Sequence, residues 1–226
     1  MIVLTTASEA VAPVLSRNAL VARSGFRAEN VLIEQKSALN ALSTQYFHKL
    51  IVAATLVPGR KKSDVKLLFD DATCTTAQVK NGNGGGRGWS FDRRSVDTLP
   101  MSADAKTLLK SVCLRSGEAR TTVPMDTEIL RQLFLGDDEA TRPQHFIHTT
   151  MANGAITGLS VCLADEFIAA VNNDIFTQYN AKKTCVHISP LVYLQRKGGG
   201  STDHSPNDIQ AKLRAMPNCM HKLTLV

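Results

Sequence analysis

Residues 63–80 read Ser63-Asp64-Val65-Lys66-Leu67-Leu68-Phe69-Asp70-Asp71-Ala72-Thr73-Cys74-Thr75-Thr76-Ala77-Gln78-Val79-Lys80. Ser63 to Phe69 and Thr73 to Val79 are rich in β-formers, and Asp70-Asp71 supplies turn chemistry between them. The pattern predicts two adjacent antiparallel strands. Asp64 then lies near the open end of the first. Gln78 and Lys80, two apart on the second, share a face because side chains alternate along a strand. A carboxylate, an amide oxygen and an ammonium would thus converge on one edge of a sheet.

That trio suits metal-assisted hydrolysis of a phosphodiester. The Asp64 carboxylate, the Gln78 side-chain oxygen and the Val79 carbonyl are hard oxygen ligands for Mg²⁺. Lys80 can orient or deprotonate the attacking water and offset charge in the transition state. A surface hairpin with ordinary polar residues fits the same spacing.

Upstream, Ser8 to Ala22 reads as a first helix, with Pro13 inside it and Ser24-Gly25 ending it. From 28 to 50, Val31, Leu32, Leu39, Leu42, Tyr46, Phe47 and Leu50 recur at helical steps, predicting one amphipathic helix. Val57-Pro58-Gly59 stops it. Downstream, Gly82-Asn83-Gly84-Gly85-Gly86-Arg87-Gly88 is a loop. It lacks both glycine signatures of nucleotide-binding turns. Helices are predicted near 103–113, 126–135 and 156–172, an extended segment over 184–197, and a short element at 208–214. Helices, then strands, then a mixture give an α/β or α+β chain.

Gly59-Arg60-Lys61-Lys62-Ser63-Asp64-Val65, followed by Ala77-Gln78-Val79-Lys80-Asn81, resembles the active site of the PD-(D/E)XK nuclease superfamily. The closest likeness is to the Type II restriction endonucleases in which Gln replaces the second acidic residue. Ser63 stands where the superfamily has Pro. The resemblance implies an α/β fold with a mixed central sheet flanked by helices, restriction-endonuclease-like, in a single nuclease domain over 1–226. Residues 1–58 would form its helical part, 59–97 the catalytic strands and glycine loop, and 98–226 the recognition region and remaining sheet. It implies Mg²⁺ as cofactor, double-stranded DNA as substrate, a short palindromic site and a symmetric homodimer. A helical glutamate often completes such a metal site. Glu29 is preferred over Glu34 because it opens the helix away from the apolar face, a position the helix dipole favours on its own account.

A second stretch, Tyr193-Leu194-Gln195-Arg196-Lys197-Gly198-Gly199-Gly200 with Asn207-Asp208-Ile209-Gln210-Ala211-Lys212, also resembles a segment of restriction endonucleases. Gln195, Arg196, Lys197 and Lys212 are its candidate DNA contacts, and the glycines let backbone approach DNA closely. A solvated hairpin tip fits it too. Arg87, Arg93 and Arg94, in or just after the basic glycine loop, are candidate phosphate contacts, unless Asp92 and Arg93 pair locally. Trp89 reads as core.

The chain has 226 residues, 43% hydrophobic and 20% charged, which excludes wholesale disorder. No run of eighteen apolar residues occurs, so no membrane-spanning helix is expected. The net charge of +6 suits a polyanionic partner without requiring one. The 5% aromatic content disfavours a stacking platform for single strands. Five cysteines without a CxxC pair, and no export signal, predict reduced thiols and a cytoplasmic location. Cys185, His187, Cys219 and His221 could make a zinc site, at spacings unusual for one. Two rivals remain at this point: a structure-specific repair or recombination nuclease of the same fold, and a DNA-binding protein without catalysis.

Overall fold

The computed structural model describes residues 27–59, 62–82, 89–91, 93–112, 126–172, 178–179, 185–196 and 208–226. The first predicted helix, Arg87, Lys197 and most of both glycine loops lie outside them. The amphipathic segment 28–50 is helical but not continuous. Residues 27–34 form one helix (α1), Lys36–Ala41 a second (α2), and Leu42–Phe47 a π-helical turn. Gln35 separates α1 from α2 in an extended conformation. Its side chain donates to the Ile156 carbonyl at 2.9 Å and accepts from the Ile156 N–H at 2.8 Å. A side chain that satisfies both backbone groups of a strand residue outweighs one turn of helical continuity.

Ile51–Leu56 (β1) is a strand the periodicity does not announce. Val65–Phe69 (β2) and Cys74–Gly82 (β3) pair antiparallel, Val65 facing Ala77 and Leu68 facing Cys74, as the sequence predicts. Arg94–Ser95 (β4) follows, then helices Ala103–Val112 (α3) and Thr127–Leu135 (α4), both close to their expected bounds. Asp126 caps α4 by accepting from the Ile129 N–H at 2.8 Å.

His145–Ala152 (β5) and Ala155–Leu163 (β6) form a hairpin through Asn153 and Gly154, at φ 49° and 84°. The helix expected over 156–172 is therefore corrected. Its first half is β6, and the helix is Ala164–Val171 (α5). The extended segment 184–197 is also a hairpin. Gln178–Tyr179 (β7) precedes Cys185–His187 (β8), which turns through Pro190 into Val192–Arg196 (β9). Asp208–Leu213 (β10) and His221–Leu223 (β11) complete the chain.

The fold is α/β, with a mixed six-stranded sheet in the order β1-β2-β3-β5-β6-β11 and flanking helices. Its neighbours are antiparallel except β3 and β5, which run parallel. A second sheet of five antiparallel strands, β4-β10-β9-β8-β7, is an addition to the predicted architecture. Alternation along the strands separates two cores. Leu32, Ala38 and Leu42 pack on Val65, Leu67, Ala77, Val79 and Ile147. On the opposite face Phe146 and Cys162 meet Trp89, Phe91, the helices α3 to α5, and the inner residues of the second sheet. Among the described residues no helix is long and apolar enough to cross a membrane.

His145 and His148 sit on opposite faces of β5, both buried. His148 stacks on Trp89, centroids 5.2 Å apart, and its ring occupies the space a Cβ at Gly82 would need. Burial pulls both imidazoles from the ordinary 6.5 down to about 4. Between those values the unfolded chain binds protons that the folded chain refuses. Stability is thus complete above pH 6.5 and is lost as pH falls towards 4, by on the order of 3 kcal/mol per histidine. Urea midpoints should fall steeply from about pH 7 to about pH 4.5, with a shallower slope in His148→Gln. A midpoint that does not move over this range contradicts the assignment.

Candidate active site

The residues before Asp64 are pinned to α4 and the turn after it. Lys62 Nζ donates to the Leu133 carbonyl at 2.7 Å, and Ser63 Oγ to the Thr141 carbonyl at 3.0 Å. A cation on one of the last carbonyls of a helix is favoured by the helix dipole. Asp64 is held on both sides by backbone bonds. Its N–H donates to the Ala77 carbonyl, and its carbonyl accepts from the Val57 N–H, each at 2.9 Å. One step beyond the Val65–Ala77 pair, Asp64 stands across from Gln78. The strand pairing thus puts Asp64, Gln78 and Lys80 on the face away from α1 and α2, as expected from alternation.

Asp64 Oδ2 accepts from the Val79 N–H at 2.8 Å and lies 3.9 Å from Lys80 Nζ. Both charged side chains are mostly shielded, at 19% and 10% exposure. Their Coulomb attraction is about 4 kcal/mol at an effective dielectric of about 20, the same order as the cost of drying the two ions. Such a pair adds little net stability. Lys80 Nζ also lies 5.6 Å from the centre of the Phe91 ring, within cation–π range. Gln78 is 3% exposed, and its Oε1 meets no hydrogen-bond donor among the described residues. A buried amide oxygen left without a donor costs about 1–3 kcal/mol. It is therefore a point where a cation or a water would be stabilised.

Gln78 and Lys80 open onto a small cavity whose wall includes Lys62, Phe91, Arg94 and Ile209. Water-sized atoms can be centred in about 20 Å³ of it, close to the space of one water. Among the described residues no three His, Cys, Asp or Glu side chains gather as a metal site. That includes the zinc quartet, whose halves lie on β8 of one sheet and beside β11 of the other. Asp64 and Gln78 instead offer one carboxylate and one amide oxygen. Mg²⁺ fits that set, because it takes one or two protein oxygens and fills its octahedron with water and phosphate oxygens.

The other candidates fall in different places. Glu29 is half-buried on α1 and Glu34 exposed at its end. That helix covers the face of Ala77 and Val79, opposite Gln78 and Lys80. Arg94 belongs to β4, which pairs along β10, and Arg93 directly precedes that strand. Arg93 Nε donates to Asp208 Oδ2 at 2.7 Å, while Arg94 pairs opposite Ile209 and lines the cavity. Gln195 and Lys212 lie on the second sheet, across from Gln210 and Tyr193, on the face away from the core. Arg196 ends β9 opposite Ile209. Trp89 is buried, as predicted.

Lys62, Phe91 and His148 are the site's neighbours that the spacing argument leaves out. Lys62 lies inside the quoted basic stretch, and Phe91 two residues from Trp89, so the pattern holds a signal for both. For His148, the signal is the parallel pairing of Lys80 with His148, which no local pattern shows.

No protein-family profile matches the chain, and no curated protein matches it. Among solved structures, the restriction endonuclease MspI in complex with its cognate DNA is similar to it. The two share 13% identity over 88% of this chain and 93% of that one, with a TM-score of 0.48.

Proposed function

We propose that this chain is a Mg²⁺-dependent endodeoxyribonuclease of the Type II restriction kind. In this reading it cuts double-stranded DNA at a short palindromic sequence as a two-fold symmetric homodimer. One observation carries the proposal: a buried Gln78 oxygen that meets no donor among the described residues shares one face of one strand pair with a shielded carboxylate and a shielded ammonium. Neither the ion pair nor the orphaned oxygen stabilises the fold, so their conjunction calls for a ligand.

Asp64 and the Gln78 side chain, with the Val79 carbonyl beside them, would hold Mg²⁺. When bound, the ion supplies positive charge to the phosphoryl oxygens and to the attacking water. Lys80, an ammonium fixed by Asp64 and Phe91, directs the water at phosphorus, while the water's proton passes to bulk water and the leaving oxygen takes one from it. The water oxygen bonds to phosphorus as one ester P–O bond breaks, and Lys80 offsets negative charge that grows in between. Arg87, Arg93, Arg94, Gln195, Arg196, Lys197 and Lys212 are the proposed DNA contacts. The net charge of +6 supports a polyanionic substrate. A palindrome suits a homodimer, because a two-fold protein presents the same site to each strand.

Purified protein with Mg²⁺ should convert intact plasmid into discrete fragments. Lys80→Ala and Asp64→Asn should each slow cleavage at least about 100-fold while duplex affinity stays within about threefold. Cleavage confined to junctions or mismatches would point to a repair nuclease. Salt-sensitive DNA binding without cleavage at any Mg²⁺ concentration would point to a non-catalytic binder.

A further inference from the structure

Arg93 and Arg94 are adjacent, yet alternation sends them to different places. Arg93 is tied to Asp208, an ion pair that fastens the chain to β10. Arg94 is half-buried and turned the other way, into the cavity that Gln78 and Lys80 line from the first sheet. Strand β4, which carries Arg94, belongs to the second sheet. The cavity is therefore walled by both sheets, with an arginine coming from the one that does not carry Asp64.

We infer that Arg94 binds the non-bridging oxygens of the phosphate to be cleaved, and that the active site is incomplete without the second sheet. This inference rests on the nuclease reading for its substrate, but the anion site stands on its own geometry. Lys62, Lys80 and Arg94 place three cationic side chains around one cavity, and none of its lining residues is acidic. Lys62 is engaged by Leu133 and Lys80 by Asp64, so each has a fixed neighbour to hold it in place. Arg94 adds a planar fork of donors that matches two oxygens of one phosphate, which an ammonium cannot do. The remaining wall is mainly apolar, with Phe91, Leu99, Leu133 and Ile209, and such a wall strengthens any charge contact inside it.

Size argues in the same direction. About 20 Å³ in which a water-sized atom can be centred has no room for a base or a sugar. Gln78, whose buried Oε1 meets no donor among the described residues, belongs to the same wall. The Asp64 side chain is not among the residues of that wall.

The test uses the full-length protein and inorganic phosphate, without metal. The Arg94 Nε–H resonance, identified by its loss in Arg94→Lys, should shift as phosphate is added. Phosphate affinity should fall at least about fivefold in Arg94→Ala. With Mg²⁺ and substrate duplex, Arg94→Ala should slow single-turnover cleavage about 100-fold, with duplex affinity within about threefold and partial recovery in Arg94→Lys. An Arg94 resonance unmoved by phosphate overturns the inference even if the protein cuts DNA, as does wild-type cleavage by Arg94→Ala. A phosphate-shifted Arg94 in a protein that never cleaves DNA upholds the anion site and removes the nuclease reading instead.

Discussion

Ala77 and Val79 are drawn into the apolar layer beneath α1 and α2, and this turns Gln78 and Lys80 to the opposite face of β3. A slip of one residue would put an ammonium among Leu32, Ala38 and Leu42 and expose the two apolar side chains, so the register is strongly specified. Asp64 adds to that specification at the strand end. Past the last β2 partner, the Val79 N–H has no strand carbonyl to meet, and the Asp64 carboxylate takes that role at 2.8 Å. Hydrogen bonds to charged groups are worth about 1.5–3 kcal/mol, so the residue that marks the site also fixes the register that builds it.

The parallel neighbour β5 extends the same logic. Gln78 stands beside Phe146 and Lys80 beside His148, so the face that carries them continues into an aromatic layer of Phe146, Trp89 and Phe167. The two sides of the sheet treat polar groups differently here. On the helical side, Thr75 Oγ1 meets His145 Nδ1 at 2.9 Å and Gln144 Oε1 at 2.8 Å. On the other side, Gln78 Oε1, His148 Nε2 and Trp89 Nε1 meet no partner among the described residues, though Thr149 Oγ1 shows that the helical side is not fully satisfied either. Polar atoms left dry beside an ion pair are costly for folding, and a face that retains them is shaped by something other than stability.

How much of this could be read from the chain depends on which contacts are local. The β2–β3 hairpin was legible because its apolar alternation, turn residues and charge placement all lie within 63–80. The helices α3 and α4 were legible for the same reason. Strand β1 was not, because Ile51-Val52-Ala53-Ala54 follows a helical pattern without a break and, at a sheet edge, shows no clean alternation of burial. The run from 155 to 171 is apolar enough for either a strand or a helix, and periodicity cannot separate them. Asn153-Gly154 did carry the decisive signal, since that dipeptide suits the two-residue hairpin turn found there. The trio Asp64, Gln78 and Lys80 was visible in outline. The place of Arg94 was not, because it depends on β4 pairing with β10 more than a hundred residues later.

That long-range pairing joins the two halves of the proposed chemistry. Along β10, Ile209 and Ala211 face the cavity while Asp208, Gln210 and Lys212 face outward, by the same alternation that sorts β3. Gln210 reaches back to the Phe91 carbonyl at 2.9 Å, and Asp208 holds Arg93, so the outer face of β10 grips the chain on either side of the positions that supply Phe91 and Arg94. Gln195 and Lys212, proposed to meet DNA, lie on that outer surface, one of them on β10 itself and the other hydrogen-bonded to it through the β9 ladder. In the proposed nuclease, a displacement of β10 would be felt at Arg94 and at the Phe91 ring near Lys80. Packed strands transmit such shifts because their interiors are dense and yield little. For the proposed reaction, the arrangement gives a physical route from the outer surface of β10 to the position of Arg94.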